Sequence, residues 1–220
     1  MKQKRIQSLL TGPAQTMKVE VRREVSSTNT LLKQAAAEGA PEGTVLIACR
    51  QTAGKGRLGR SFYSPEETGL YMSVLLRPEL KVQDSLLITT AAAVAAAEAI
   101  EKTTGVKAEI KWVNDIYCRR KKTAGILTEG SIRPGSDQLA YAVLGIGINV
   151  WKPKNDFPAE IQSIAGSILE ESCFDEDLRN RLAAAILNEF MRLYPKLSEI
   201  QFMDAYRQRS FLLGLEVCLM

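Results

Sequence analysis

Apolar and polar positions along this chain fall into blocks whose period switches between two and about three and a half. Val19 to Val25 alternates as a half-buried strand does. "SSTN", Ser26 to Asn29, then supplies capping side chains for a helix over about Thr30 to Glu38, with Gly39 as its stop. Thr44 to Arg50, "TVLIACR", is an apolar run expected to form a buried strand that feeds straight into "QTAGKGRLGRS", Gln51 to Ser61. Pro65 and "EETG" mark a turn before "LYMSVLL", Leu70 to Leu76, a further strand. Asp84 is expected to cap a long alanine-rich helix reaching about Thr103. "EIKW" predicts a short strand, and "DIYCRRKKTAGILTEG" a hairpin turning at Arg119 to Lys122. Leu139 to Val150 reads as another buried strand, Asp175 to Leu193 as an amphipathic helix, and about Ser198 to Arg207 as a shorter one.

Composition narrows the picture mainly by exclusion. A length of 220 residues predicts one large domain, or one with a small appendage. Basic residues exceed acidic ones by only 29 − 25 = 4, so any basic function must be local. Cys49, Cys118, Cys173 and Cys218 form no C-x-x-C pair, and reduced thiols in the cytoplasm are expected. The absence of histidine excludes a Ser-His-Asp triad, His-ligated metal sites and imidazole acid–base chemistry. The N-terminus lacks the apolar core of a signal peptide, and Leu86 to Ile100 is too short to span a bilayer.

The glycine-rich loop fits two nucleotide patterns on paper and neither in context. Gly54, Gly56 and Gly59 spell G-x-G-x-x-G, and Gly54 to Ser61 comes close to a phosphate-binding loop. Both motifs require the last glycine to open a helix, whereas "FYSPEETGLYMSVLL" leads into a strand. A kinase-like strand–loop–strand reading fails because D-F-G and H-R-D are absent. The chemistry is still readable. Glycines let backbone N–H groups approach a ligand, and Lys55, Arg57 and Arg60 concentrate positive charge. Each cation about 4 Å from a phosphate oxygen gains roughly 4 kcal/mol before desolvation. A solvated basic turn is the plain alternative.

Three further segments point the same way. In "KWVND", Trp112 could wall an apolar pocket, and Asn114 and Asp115 offer hydrogen bonds to ribose, base or a metal. A core tryptophan beside a turn would explain that segment equally well. Lys122, at a strand start in "KKTAGIL", is held rigidly enough to stabilise charge on a reacting phosphorus, or is an exposed hairpin lysine. In "LGIGINV", Gly145 and Gly147 mark close approach of a ligand or backbone, and Asn149 needs a polar partner.

"SSTN", "QTAGKGRLGR", "KWVND", "KKTAGIL" and "GIGIN", in this order, closely resemble the biotin–protein ligase family, also called biotin–[acetyl-CoA-carboxylase] ligases. The resemblance runs from about Leu9 to Leu215. It implies an α+β fold related to class II aminoacyl-tRNA synthetases: a mixed, largely antiparallel sheet flanked by helices. It also implies ATP-dependent formation of biotinyl-5′-AMP, then transfer of biotin to one lysine of the biotin carboxyl carrier protein of acetyl-CoA carboxylase or a related carboxylase. Biotin-binding positions correspond to Ser27, Thr28, Asn29, Gln51, Lys55, Gly56, Arg57 and Lys122, with Lys122 and Arg57 as the catalytic pair. Gly54, Arg60, Trp112, Asn114, Asp115 and Asn149 correspond to nucleotide or adenylate positions. Mg²⁺ is expected with ATP, no metal ligand is identified, and no permanently bound cofactor is expected. Neutral hydroxyls and amides suit biotin's ureido ring, and an already ionised carboxylate needs no general base.

The chain departs from the family pattern at Lys55 and Leu58, where many members carry arginine. Residues 1–210 are expected to form the catalytic domain. Residues 211–220 are expected to be the first strand of a truncated or absent C-terminal SH3-like domain. The segment before the first strand is too short for the winged helix-turn-helix of dual-function members, so no DNA or membrane partner is expected. The resemblance leaves room for a homodimer. A lipoate–protein ligase of the same fold is the nearest alternative, and a non-catalytic nucleic-acid or regulatory binder a more distant one.

Overall fold

The structure, a computed structural model, describes residues 1–216. Its strands are β1 (Lys18–Val25), β2 (Thr44–Gln51), β3 (Gly69–Leu76), β4 (Glu109–Lys111), β5 (Asp115–Cys118), β6 (Lys121–Ile132) and β7 (Leu139–Asn149). They form one sheet in the order β1-β2-β3-β7-β6-β5-β4. Only β1 and β2 run parallel. A parallel pair needs a crossover, and the intervening helix, Thr28–Ala37, supplies it. The remaining pairs are antiparallel, giving the expected mixed sheet.

The helices are α1 (Gln3–Ser8), α2 (Thr28–Ala37), α3 (Leu86–Thr104), α4 (Ala159–Gln162), α5 (Leu178–Leu193) and α6 (Phe202–Arg209). Among the described residues, none is long and apolar enough to cross a membrane. α3 explains its own composition. Ala91 to Ala97 are buried around the helix, which packs on the sheet and against α5, so small side chains permit close approach on both sides. Gly105, in the left-handed region at φ 70°, ends this helix.

Strand alternation decides where the site can be. In β3, Leu70, Met72, Val74 and Leu76 enter the main core with α3 and α5, as do Leu144, Ile146 and Ile148 of β7. Leu75 and Val143 pack instead with Leu32 and Ala36 of α2. The face that carries α2 also carries Ser73, Gly145 and Gly147, and α2 covers only part of it. The uncovered remainder is a cleft.

Several expectations need correction. Asp84 lies in a short 3-10 turn, and Ser85 occupies the cap position of α3 with no side-chain cap bond. α2 begins at Thr28, and α5 at Leu178, since Asp175 bonds the backbone N–H of Asp177. β4 stops at Lys111, leaving Trp112 in a turn. The β5–β6 hairpin turns on Arg119 and Arg120, both left-handed at φ 50° and 64°. Each non-glycine residue there costs about 1–2 kcal/mol. α1 and the irregular stretch from Lys152 to Phe174 had no clear periodicity to announce them. Of the strand expected over 211–220, Phe211 to Gly214 are in turns and 217–220 lie outside the described residues.

Candidate active site

A cleft of about 430 Å³ opens on the face of the sheet beside α2, lined from all sides by residues far apart in sequence. α2 contributes its first turn, β2 its last residue, and β5, β6 and β7 their ends. Lys55 to Leu58 and Arg60 of the glycine loop close one side, and Ile161, Ile164 and Ala165 the other.

At the inner end, the "SSTN" segment caps α2 and also turns its side chains inward. Ser27 Oγ accepts the Thr30 N–H at 3.4 Å, so the capping role is real. Gln51 Oε1 accepts from Thr28 N at 2.9 Å and from Thr28 Oγ1 at 3.1 Å. Gln51 Nε2 donates to Ser64 Oγ at 3.0 Å. Ser73 Oγ sits 2.7 Å from Thr28 Oγ1 and donates to Asn29 Oδ1 at 2.6 Å. Asn29 Nδ2 donates to Glu129 Oε2 at 3.0 Å and more weakly to Leu127 O at 3.4 Å. Lys33 Nζ pairs with Glu129 Oε1 at 2.7 Å. Burial pushes the Glu129 carboxyl up, but hydrogen bonds from Lys33 and Asn29 outweigh it and hold the group below its ordinary range.

Two strand glycines make this packing possible. A Cβ on Gly145 would collide with the Asn29 amide oxygen, and one on Gly147 would come within 2.7 Å of the Phe62 ring. Phe62 lies over β6 and β7 and meets Tyr71 edge-on, with centroids 6.4 Å apart. Ser73, Phe62, Glu129 and Lys33 were not anticipated. Ser73 had a signal, because a hydroxyl inside an otherwise apolar buried strand needs a partner. The others owe their place to cross-sheet packing alone. Ser73→Ala leaves Asn29 Oδ1 without its donor, and is expected to destabilise the fold by about 1–3 kcal/mol. An unchanged urea midpoint would contradict this.

At the outer end, Lys122 Nζ pairs with Asp115 Oδ2 at 2.7 Å, while Asp115 Oδ1 is buried without a partner. A bulge aims Lys122. Ile116 pairs with Ala124 but Tyr117 with Lys122, so Thr123 is the extra residue. Thr123 turns into the core and bonds Ile116 O at 3.3 Å, and the parity change places Lys122 on the same face as Gly125. Asn114 Nδ2 donates to Ile126 O at 2.9 Å and Asn149 Nδ2 to Gly166 O at 3.1 Å. Both amides therefore brace backbone as well as lining the cleft.

The glycine loop is a folded hook. Gly56 N donates to Arg60 O at 2.7 Å, and Leu58 and Gly59 take left-handed backbone at φ 56° and 75°. Arg57 reaches across the cleft mouth to Asn114 Oδ1 at 3.1 Å. Lys55, Gly56, Arg57 and Arg60 line the cleft. Two expected residues do not. Gly54 lies buried behind the wall, where a Cβ would strike Phe62 O. Trp112 is 59% exposed and packs edge-on against Tyr206 rather than walling the pocket. Among the described residues, no group of three or more carboxylates or thiols is placed to hold a metal ion.

Comparison with known proteins now places the chain. The model of the Biotin/lipoate A/B protein ligase family matches residues 21–149, a stretch that contains every expected site residue. The chain belongs to this family. Within it, the similar curated proteins include several named as biotin ligases. The biotin–[acetyl-CoA-carboxylase] ligase of Mycobacterium tuberculosis is 33% identical over 206 residues, covering 90% of this chain and 73% of that protein. The bifunctional ligase/repressor BirA of Bacillus subtilis is 44% identical over 144 residues, covering 66% of this chain and 44% of the relative. The chain thus spans less than half the length of the Bacillus relatives it matches. Among solved structures, the Aquifex aeolicus biotin protein ligase in complex with biotin and ATP superposes with a TM-score of 0.68 at 33% identity, covering 89% of this chain and 79% of that one.

Proposed function

We propose that this chain is an ATP-dependent biotin–protein ligase. It joins the biotin carboxylate to the α-phosphate of ATP, releases pyrophosphate, and passes the biotinyl group from biotinyl-5′-AMP to a carrier-protein lysine. The observation that carries the reading is the hydrogen-bonding capacity left over at the inner end of the cleft. Asn29 spends both N–H bonds on Glu129 and Leu127 but keeps a lone pair on Oδ1 beyond the one used by Ser73. Gln51 keeps one N–H beyond the one given to Ser64, and Ser27 keeps its hydroxyl hydrogen. The spare groups are neutral hydroxyl and amide donors and acceptors. A ureido ring offers a carbonyl for the donors and an N–H for the acceptor, whereas a dithiolane would leave them unpaired.

The outer end supplies charge. Lys122, fixed by its bulge and by Asp115, neutralises the carboxylate and α-phosphate as negative charge redistributes in the transition state. Lys55, Arg57 and Arg60 close over the acyl phosphate and keep water away from it. Mg²⁺ enters with ATP, held mainly by the phosphates. Transfer requires the incoming lysine ammonium to lose a proton before it attacks the acyl carbon and AMP departs.

Biotin-dependent ATP–pyrophosphate exchange tests the reading. Exchange with biotin is expected, and exchange with lipoate but not biotin would transfer the chain to the other branch of the family. Arg57→Gly removes the hook's bond to Asn114. It is expected to form adenylate yet release it, labelling lysines of an unrelated protein such as albumin. Labelling confined to the carrier would count against a retaining role for Arg57.

A further inference from the structure

The β5–β6 turn is built against its own backbone. Arg119 and Arg120 occupy both left-handed positions of a two-residue hairpin, at φ 50° and 64°. Asn-Gly is the favoured pair there because a Cβ is disfavoured at each. The chain keeps two arginines instead, and both are exposed. Many cations elsewhere on the surface are matched with carboxylates, as in Arg5–Asp177, Arg50–Glu24 and Arg192–Glu98. Here the nearby carboxylates are already engaged: Asp115 by Lys122 and Glu109 by Lys107. Among the described residues, Arg119 and Arg120 have no ion pair. Lys121 bonds only the Gln162 and Ser163 carbonyls, and Lys111 lies over the Tyr117 ring. The result is an uncompensated positive ridge.

Its position gives the ridge a use. Arg120 is two residues from Lys122, and a strand advances about 3.3 Å per residue. Any protein that presents an acceptor amine beside Lys122 covers a footprint of about 800 Å². The turn falls inside such a footprint while lining none of the substrate cleft.

We propose that Arg119 and Arg120 form a docking point for an acidic face of the carrier-protein substrate. The inference rests on the ligase reading above and names its protein partner's chemistry. Opposite charge at this edge steers encounter and orients the carrier, acting on association rather than on adenylate chemistry.

The test is Arg119→Asn/Arg120→Gly in the full chain, which removes the charge while giving the turn its preferred residues. Biotin-dependent pyrophosphate exchange and transfer of biotin from the adenylate to hydroxylamine are expected within about twofold of the parent. The thermal midpoint is expected to stay or rise, so loss of fold is not at issue. The KM for a biotin carrier domain is expected to rise about 5- to 20-fold at low ionic strength, with the gap closing as NaCl is added. Arg119→Lys/Arg120→Lys is expected to keep the parental KM. An unchanged carrier KM in the Asn-Gly variant, or an increase that salt does not reduce, overturns the docking role. Absence of biotin-dependent exchange in the unaltered chain overturns the ligase reading itself, and is read from the parent alone.

Discussion

Lys122→Ala is expected to slow biotin adenylation about 100- to 1000-fold, the usual consequence of removing one preorganised charge-stabilising donor. Lys122 stands on a strand, its direction is set by the Thr123 bulge, and its ammonium is held 2.7 Å from Asp115. A lysine so held needs little reorganisation when charge moves onto the α-phosphate. The loss should appear chiefly in kcat, because the proposed place of the biotin ring is the other end of the cleft. Lys122→Arg keeps the charge but changes its shape and reach, and is expected to recover part of the rate. Single-turnover formation of labelled adenylate measures the effect directly. A rate within a few-fold of the parent would remove Lys122 from the mechanism.

Gly145→Ala is expected to raise the KM for biotin about 10- to 100-fold, equivalent to about 1.4–2.8 kcal/mol. The added methyl would occupy the place of the Asn29 amide oxygen. Asn29 cannot simply step aside, since Ser73, Glu129 and Leu127 all hold it. Moving it breaks the bond to Ser73 and takes away one of the cleft's spare acceptors. Stability should fall as well, by about 1–3 kcal/mol from overpacking. An unchanged biotin KM in a folded variant would mean that Asn29 does not contact the ring.

Much of the site could be read from residue types in order. "SSTN" was ambiguous between capping and binding: Ser27 Oγ caps by accepting from Thr30 N, and Thr28 and Asn29 line the cleft. Gly145 and Gly147, read as marks of close approach, turn out to admit Asn29 and Phe62. Trp112 misled because an aromatic beside Asn114 and Asp115 suggests a pocket wall. The chain direction after β4 instead turns its ring outward onto Tyr206. Lys33 and Glu129 carried no local signal. They are 96 residues apart, and nothing in either neighbourhood specifies the other.

The amino-acid sequence by itself determined the strands, the long alanine helix, the cationic loop and the chemical character of the site, because these depend on local period, backbone freedom and side-chain type. The tertiary structure alone decided the orientations. Which face each strand turns to the cleft, how one extra residue redirects Lys122, and which partners consume the hydrogen bonds of Asn29 and Gln51 all follow from strand pairing across the sheet. Such pairings join segments remote in sequence, and their register is set by the packing of the whole core rather than by any stretch within it.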